Sequence, residues 1–224
     1  MSEVKLISIT KPVIDGVNTA EELISFCARV SNPGNQMNNE TSSKLLRYLL
    51  KSAHFSPFEM VDVCLEIKTT RDIGRQILRH RSFVFQEFSQ RYAAVTDQFE
   101  YREARLQDEK NRQNSVELDK KDCTHQEWQW VQEKVANECL DAYEWALQRG
   151  IAKEQARAVL PEGMTKSTLY VKGSLRSFIH YILVRHHPAT QKEHRIVAQQ
   201  VYDVVFKEFP SLKDYMEELI AESA

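Results

Sequence analysis

Glycine is scarce in this chain, with six residues among 224. No Gly-x-Gly-x-x-Gly run occurs, which excludes the dinucleotide-binding turn that lets backbone approach a pyrophosphate. The four cysteines, Cys27, Cys64, Cys123 and Cys139, form no Cys-x-x-Cys pair, and none stands in a nucleophile context. Cys27 and Cys139 fall on apolar helical stripes and Cys64 in a strand-like run, so buried structural thiols are expected. No apolar run approaches the ~18 residues of a membrane span. Met1 to Thr10 lacks a basic region followed by an apolar block, so neither a secretory signal nor a membrane partner is expected and the setting is cytoplasmic. Excess positive charge is missing too. A formal net charge of -2 argues against coating nucleic acid through bulk charge, so any bound anion must be held by a local cluster.

What is present is enough for one substantial core: 42% hydrophobic residues, with 28% charged residues to solvate the surface. Val4 to Ile9 reads as a strand. Thr19-Ala-Glu-Glu22 is a capping box that opens a helix through Val30. Glu40 to Ala53 carries leucines at helical spacing, and Pro57 blocks continuation. Val61, Val63, Leu65 and Ile67 alternate with Asp62, Cys64, Glu66 and Lys68, the period of a half-buried strand. Asp72 to Arg79 returns to helix. The polar stretch from Thr96 to Asp122 reads as an excursion with a short helix, and Lys110 to Gln113 in it is either a cover over a ligand or a solvated run.

Thr124-His-Gln-Glu127 reads as a second capping box. It starts the longest helix, with Trp128, Val131, Val135, Cys139, Ala142, Tyr143, Ala146 and Leu147 on one side and Gly150 as the stop. A short helix ends at Leu160-Pro161, Thr168 to Lys172 suits a strand, and helices follow from Ser174, Thr190 and beyond Pro210. The fold class is α+β: a single domain over residues 1–224, with a small, largely antiparallel sheet packed with several helices.

The chemistry-bearing residues concentrate after the second strand. Arg71, Arg75 and Arg79 recur at four-residue steps, stacking like charges on one helix face. They suggest an anion, because guanidinium forks bind phosphate bidentately; the alternative is a basic face paired with carboxylates elsewhere. The segment Arg79-His-Arg-Ser-Phe-Val-Phe-Gln-Glu-Phe-Ser-Gln-Arg-Tyr92 then puts Glu87, Ser89 and Arg91 at alternate positions, facing one way if extended. An acid, a hydroxyl and a guanidinium beside a basic cluster suit a nucleotide.

The run from Arg79 to Ser89, Arg-His-Arg followed by seven residues and a serine, resembles the signature of the flavin-dependent thymidylate synthases. Ala28-Arg-Val-Ser31, His54-Phe-Ser-Pro-Phe-Glu59, Ala156-Arg-Ala-Val-Leu-Pro161 and Arg176 to Arg185 are similar to further elements of that family, in the same order. The resemblance implies conversion of dUMP to dTMP, with methylenetetrahydrofolate as carbon donor, NADPH as reductant and FAD as cofactor. It implies a homotetramer whose active sites are shared between subunits. By position, Ser31, His54, Ser56, Glu59, Arg79, His80, Arg81, Ser174, Arg176 and His180 would contact FAD. Glu87 would lie between flavin and nucleotide. Gln76, Arg79, Glu87, Ser89, Gln90, Arg91, Arg157 and Arg185 would hold dUMP. The catalytic positions are Arg185, whose charge would stabilise an anionic pyrimidine, and Ser89, which has no base beside it to make it a nucleophile.

The chain departs from the pattern at Gln86, where many members carry Asn, and at Gln90, which often corresponds to Gly. Ser174 and His180 stand where asparagines are common. His186, His187 and His194 match no metal-ligand spacing, so no metal is expected. Two other classes compete with the enzyme. A single-stranded nucleic-acid binder would stack bases on Phe83, Phe85 and Phe88; a catalytically inactive oligomeric scaffold would keep only the fold.

Overall fold

The alternation of Val61, Val63, Leu65 and Ile67 becomes the inward face of a long strand, each side chain at most 1% exposed. The structure is a computed structural model and describes residues 2–95 and 99–223. Six strands are described: β1 (Glu3–Ile9), β2 (Asp62–Thr70), β3 (Val84–Glu87), β4 (Arg105–Gln107), β5 (Ser115–Glu117) and β6 (Lys166–Ser174). The α-helices are α1 (Ala20–Ala28), α2 (Ser42–Lys51), α3 (Arg71–Ile77), α4 (Thr124–Gln148), α5 (Lys153–Ala156), α6 (Leu175–His186), α7 (Lys192–Glu208) and α8 (Lys213–Ser223). The main sheet has the order β1-β2-β6-β3. Leu175 N donates to Val61 O at 2.8 Å at one end of β2 and β6, and Arg71 N to Thr165 O at 2.9 Å at the other. Those bonds fix an antiparallel pair. The α+β class with a small antiparallel sheet is the one expected.

The chain divides into two compact units. The first comprises Lys68–Arg79 and Glu87–Leu169, with Ser2. Its core gathers Tyr143 and Ala146 of α4 with Ala156 and Leu160, and Val95, Phe99 and Leu147 pack against them. Tyr143 Oη accepts Val95 N at 3.2 Å. The buried Gln132 amide serves both backbone groups of Arg102, accepting its N–H at 2.7 Å and donating to its C=O at 2.9 Å. That is why a polar residue lies on the inner face of α4.

The second unit comprises Glu3–Ile67, His80–Gln86 and the residues from Tyr170 on. Ile24, Leu46, Phe58, Phe178, Phe206 and Phe209 are all but fully buried in it. The Thr19 capping box forms as the sequence predicts, with Glu22 N donating to Thr19 Oγ1 at 3.1 Å and Glu22 Oε2 accepting from Thr19 N at 3.2 Å. Gly173 abuts the Phe83 ring so closely that a Cβ has no room there.

Several local expectations are corrected. Helix α4 starts at Thr124 with Cys123 as an N-cap whose side chain makes no capping bond, and Asp122 Oδ1 accepts Thr124 N at 2.9 Å; the expected box with Thr124 as cap does not form. The buried face of α4 is Gln132, Ala136, Tyr143 and Ala146. Trp128, Val131 and Val135 are about two-fifths exposed, at 41%, 40% and 42%. The polar excursion contains an antiparallel hairpin, Arg105 to Gln107 against Glu117 to Ser115, and its described residues include no helix. Residues 96–98 of that excursion lie outside the described residues. Asp108 anchors the hairpin's loop by accepting Lys110 N and Asn111 N at 2.8 and 2.9 Å. None of the cysteines is fully buried, and Cys123 is exposed.

Candidate active site

In the first unit, α3 delivers its arginines to two carboxylates. Arg75 grips Glu162 bidentately, Nε to Oε2 at 2.6 Å and Nη2 to Oε1 at 2.9 Å. Arg71 bridges, with Nε to Glu162 Oε1 at 3.3 Å and Nη1 to Glu87 Oε1 at 3.2 Å. The Arg75 hydrogen bonds, joined by those from Arg71, pull the Glu162 carboxyl down to about 2. The anion reading is therefore corrected for Arg71 and Arg75, which neutralise protein carboxylates. Arg79 is exposed, and its side chain makes no hydrogen bond or ion pair with a described residue.

Glu87 closes β3, and the extended run stops there. Ser167 Oγ donates to Glu87 Oε1 at 2.9 Å. Ser89 and Arg91 do not continue on Glu87's face, because the chain turns: Tyr92 N and Ala93 N donate to Ser89 O at 3.1 and 3.2 Å. Arg91 N reaches back to Ser89 Oγ at 3.4 Å, and its guanidinium meets Glu154 at 3.3 Å. Gln90 is 3% exposed, yet its Nε2 has no hydrogen-bond acceptor. A buried donor left unsatisfied costs ~1–3 kcal/mol, and a polar ligand would remove that cost. Arg157 opens a 3-10 turn, Arg157–Val159, and its side chain is likewise without a described partner. Gln76 is half-buried on α3.

In the second unit, residues far apart in sequence converge. Ser174 caps α6, accepting Ser177 N at 3.3 Å, and its Oγ donates to Glu59 Oε2 at 2.5 Å. Arg176 Nη1 donates to Glu59 Oε1 at 3.1 Å. Glu59, Ser174 and Arg176 thus form one cluster, as a shared ligand would need. Arg185 Nε donates to His80 Nε2 at 2.8 Å. Tyr181 meets the His80 ring edge-on at 5.0 Å, and its hydroxyl is 3.1 Å from Nε2 of the buried His194. Burial drives His194 down to about 3, with the Arg185 charge adding, so it is neutral.

His54 follows Ala53, whose φ of 54° closes α2: Ala53 N donates to Leu50 O at 3.1 Å and His54 N to Leu49 O at 2.8 Å. Ser31, Ser56, Arg81 and His180 are exposed, and their side chains bond to no described residue. Phe83 is 6% exposed and packs on Phe178 with ring centroids 4.7 Å apart. It offers no stacking face, which removes the centre of the nucleic-acid alternative. Arg71, Glu162, Ser167, Tyr181 and His194 were not foreseen in this setting. Only the arginine spacing signalled any of them.

In the first unit, Arg79 and Arg157 pair with no described residue and the buried Gln90 amide lacks an acceptor, donors that suit a phosphorylated ligand. The profile of the family described as "Thymidylate synthase complementing protein" matches residues 12–211. The chain belongs to the flavin-dependent thymidylate synthase family. Among relatives of this name, the probable flavin-dependent thymidylate synthase of Paramecium bursaria Chlorella virus 1 is 51% identical over 208 residues, 93% of this chain and 95% of the viral protein. The flavin-dependent thymidylate synthase of Synechocystis is 50% identical over 218 residues, covering 96% and 99% of the two chains. A solved UMP/dUMP methylase, PolB from Streptomyces cacaoi bound with 5-Br UMP, shares the fold with a TM-score of 0.83. Its identity is 25%, over 98% of this chain and 95% of that one. Among the described residues, no helix is long and apolar enough to cross a membrane.

Proposed function

We propose that this flavin-dependent thymidylate synthase family member converts dUMP to dTMP. The observation that carries the reading is that Arg79 and Arg157 make no ion pair with a described residue, whereas Arg71, Arg75, Arg91 and Arg176 are neutralised internally. Gln76, Arg79, Glu87, Ser89, Gln90, Arg91, Arg157 and Arg185 hold dUMP, the arginines chiefly at its phosphate. The unsatisfied Gln90 amide gains an acceptor on binding. Ser31, His54, Ser56, Glu59, Arg79, His80, Arg81, Glu87, Ser174, Arg176 and His180 hold FAD. The donors present fit that group: guanidinium and imidazole for a pyrophosphate, hydroxyls for its sugars.

Bound FAD would supply the hydride, with NADPH as reductant and methylenetetrahydrofolate as carbon donor. Arg185 places positive charge at the pyrimidine and favours its ring anion. Ser89, whose Oγ already accepts a backbone N–H, orients the nucleotide and does not attack it. The enzyme works in the cytoplasm as a homotetramer. The tetramer is supported by the exposed Trp128, Val131, Val135 and Trp145 on α4, an apolar stripe that a second copy would cover.

The visible spectrum of the purified protein tests the cofactor, and a dUMP-dependent assay tests the reaction. An oxidised-flavin spectrum with dUMP-dependent turnover is expected. A protein that stays colourless after incubation with FAD leaves the scaffold reading in its place.

A further inference from the structure

Arg71 lies outside the set of residues that the family pattern points to, yet its side chain is only 11% exposed and forks between two carboxylates. Nη1 donates to Glu87 Oε1 at 3.2 Å and Nε to Glu162 Oε1 at 3.3 Å. Glu162 is itself clamped by Arg75 at 2.6 and 2.9 Å, so the guanidinium plane of Arg71 is fixed from its far side. Ser167 Oγ adds a second donor to Glu87, at 2.9 Å and on the same Oε1. Both donors converge on one carboxylate oxygen. Oε2 of Glu87 makes no hydrogen bond with a described residue.

We infer that Arg71 is a positioning residue: braced by Glu162, it pins Oε1 of Glu87 so that Oε2 is presented to a sugar hydroxyl or ring N–H of the nucleotide. This rests on the dUMP reading of the site. A carboxylate on a rotatable stem offers either oxygen at any angle. Two converging donors remove that freedom before the ligand arrives, and the ordering cost is met in folding. Lysine could supply charge there but not the fork, because one ammonium cannot hold both carboxylates in a fixed plane.

The test is a double-mutant cycle on the FAD-loaded protein, with dUMP affinity read by titration calorimetry. Arg71→Met weakens dUMP binding about tenfold, the scale of a lost charge-assisted hydrogen bond, and Arg71→Lys recovers only part of it. Because Arg71 acts through Glu87, Arg71→Met combined with Glu87→Gln binds no more than about twofold weaker than Glu87→Gln alone. A merely structural role predicts losses that multiply. Multiplying losses, or an Arg71→Met protein with wild-type affinity, overturn the brace. If Arg71→Met does not fold, Glu162→Gln releases the same anchor and is carried through the same cycle. A wild-type holoprotein that does not bind dUMP overturns the reading of the site and the brace with it.

Discussion

Arg185 Nε donates to His80 Nε2 at 2.8 Å, so the arginine expected at the pyrimidine and the histidine of the Arg79–Arg81 triplet are a hydrogen-bonded pair. The bond requires a lone pair on Nε2, which assigns the ring proton to Nδ1. Tyr181 bounds the ring edge-on at 5.0 Å. His80 is thereby oriented by two residues of the same helix, α6. Any change at Arg185 therefore acts on the histidine too.

Replacing Arg185 with alanine should still separate chemistry from cofactor binding, because His80 is one of several residues proposed to hold FAD and keeps Tyr181 against its ring. Thymidylate formation should fall by about 10²–10³, the loss typical of removing one preorganised charge donor. Flavin content, read as the ratio of visible to ultraviolet absorbance, should change little. Near-normal turnover would remove Arg185 from its catalytic role.

Arg91 tests the phosphate contact. Its ion pair with Glu154 spans 3.3 Å between side chains that are 56% and 49% exposed, a setting in which such pairs contribute little stability. Arg91→Ala should leave the melting temperature within about 1 °C of wild type while raising the KM for dUMP about tenfold or more. Glu154→Gln should leave KM equal or lower, since it frees the guanidinium. An unchanged dUMP requirement in Arg91→Ala would falsify the contact.

What was legible in the sequence is what short-range physics writes there. The Thr19–Glu22 box, the period-two run of β2 and the helix end at Gly150 each depend on residues within a few positions. The pairing of Arg75 with Glu162, 87 positions on, and of Glu87 with Ser167, 80 positions on, has no local signature. Repeated arginines looked like an anion site for that reason, and two of the three are consumed by the fold. The buried face of α4 departs from its apolar stripe because Gln132, a polar residue, is buried to serve the Arg102 backbone. The β4–β5 hairpin has no sequence signature because its strands are three residues each, too short for a clear alternation.

His194 makes stability fall in mild acid. It is fully buried, and burial holds it near 3 against an ordinary value of 6.5. Between those values the unfolded chain binds a proton that the folded chain does not, so stability declines as pH drops below 6.5. The loss is about 2 kcal/mol between pH 6.5 and 5. His186, lowered by burial as well, contributes with the same sign. Urea unfolding of His194→Phe should show a shallower decline over that range than wild type, even if its stability at neutral pH is lower for loss of the Tyr181 bond. Parallel pH profiles for the two proteins would count against the buried neutral histidine.

Ala53 offers a change that should stabilise. It closes α2 with φ of 54°, and the bonds from Ala53 N to Leu50 O and from His54 N to Leu49 O make the six-residue cap that usually ends on glycine. A Cβ in the left-handed region costs ~1–2 kcal/mol, partly offset by the freedom that alanine removes from the unfolded chain. Ala53→Gly should thus raise stability by up to about 1 kcal/mol, a few degrees in melting temperature for a chain of this size. The cap also aims His54, the first residue beyond the turn. If the backbone geometry is kept, Ala53→Gly retains flavin, whereas Ala53→Val, with a branched Cβ at positive φ, should lose stability and flavin together. A destabilised Ala53→Gly protein would mean that the turn does not hold the left-handed conformation in solution.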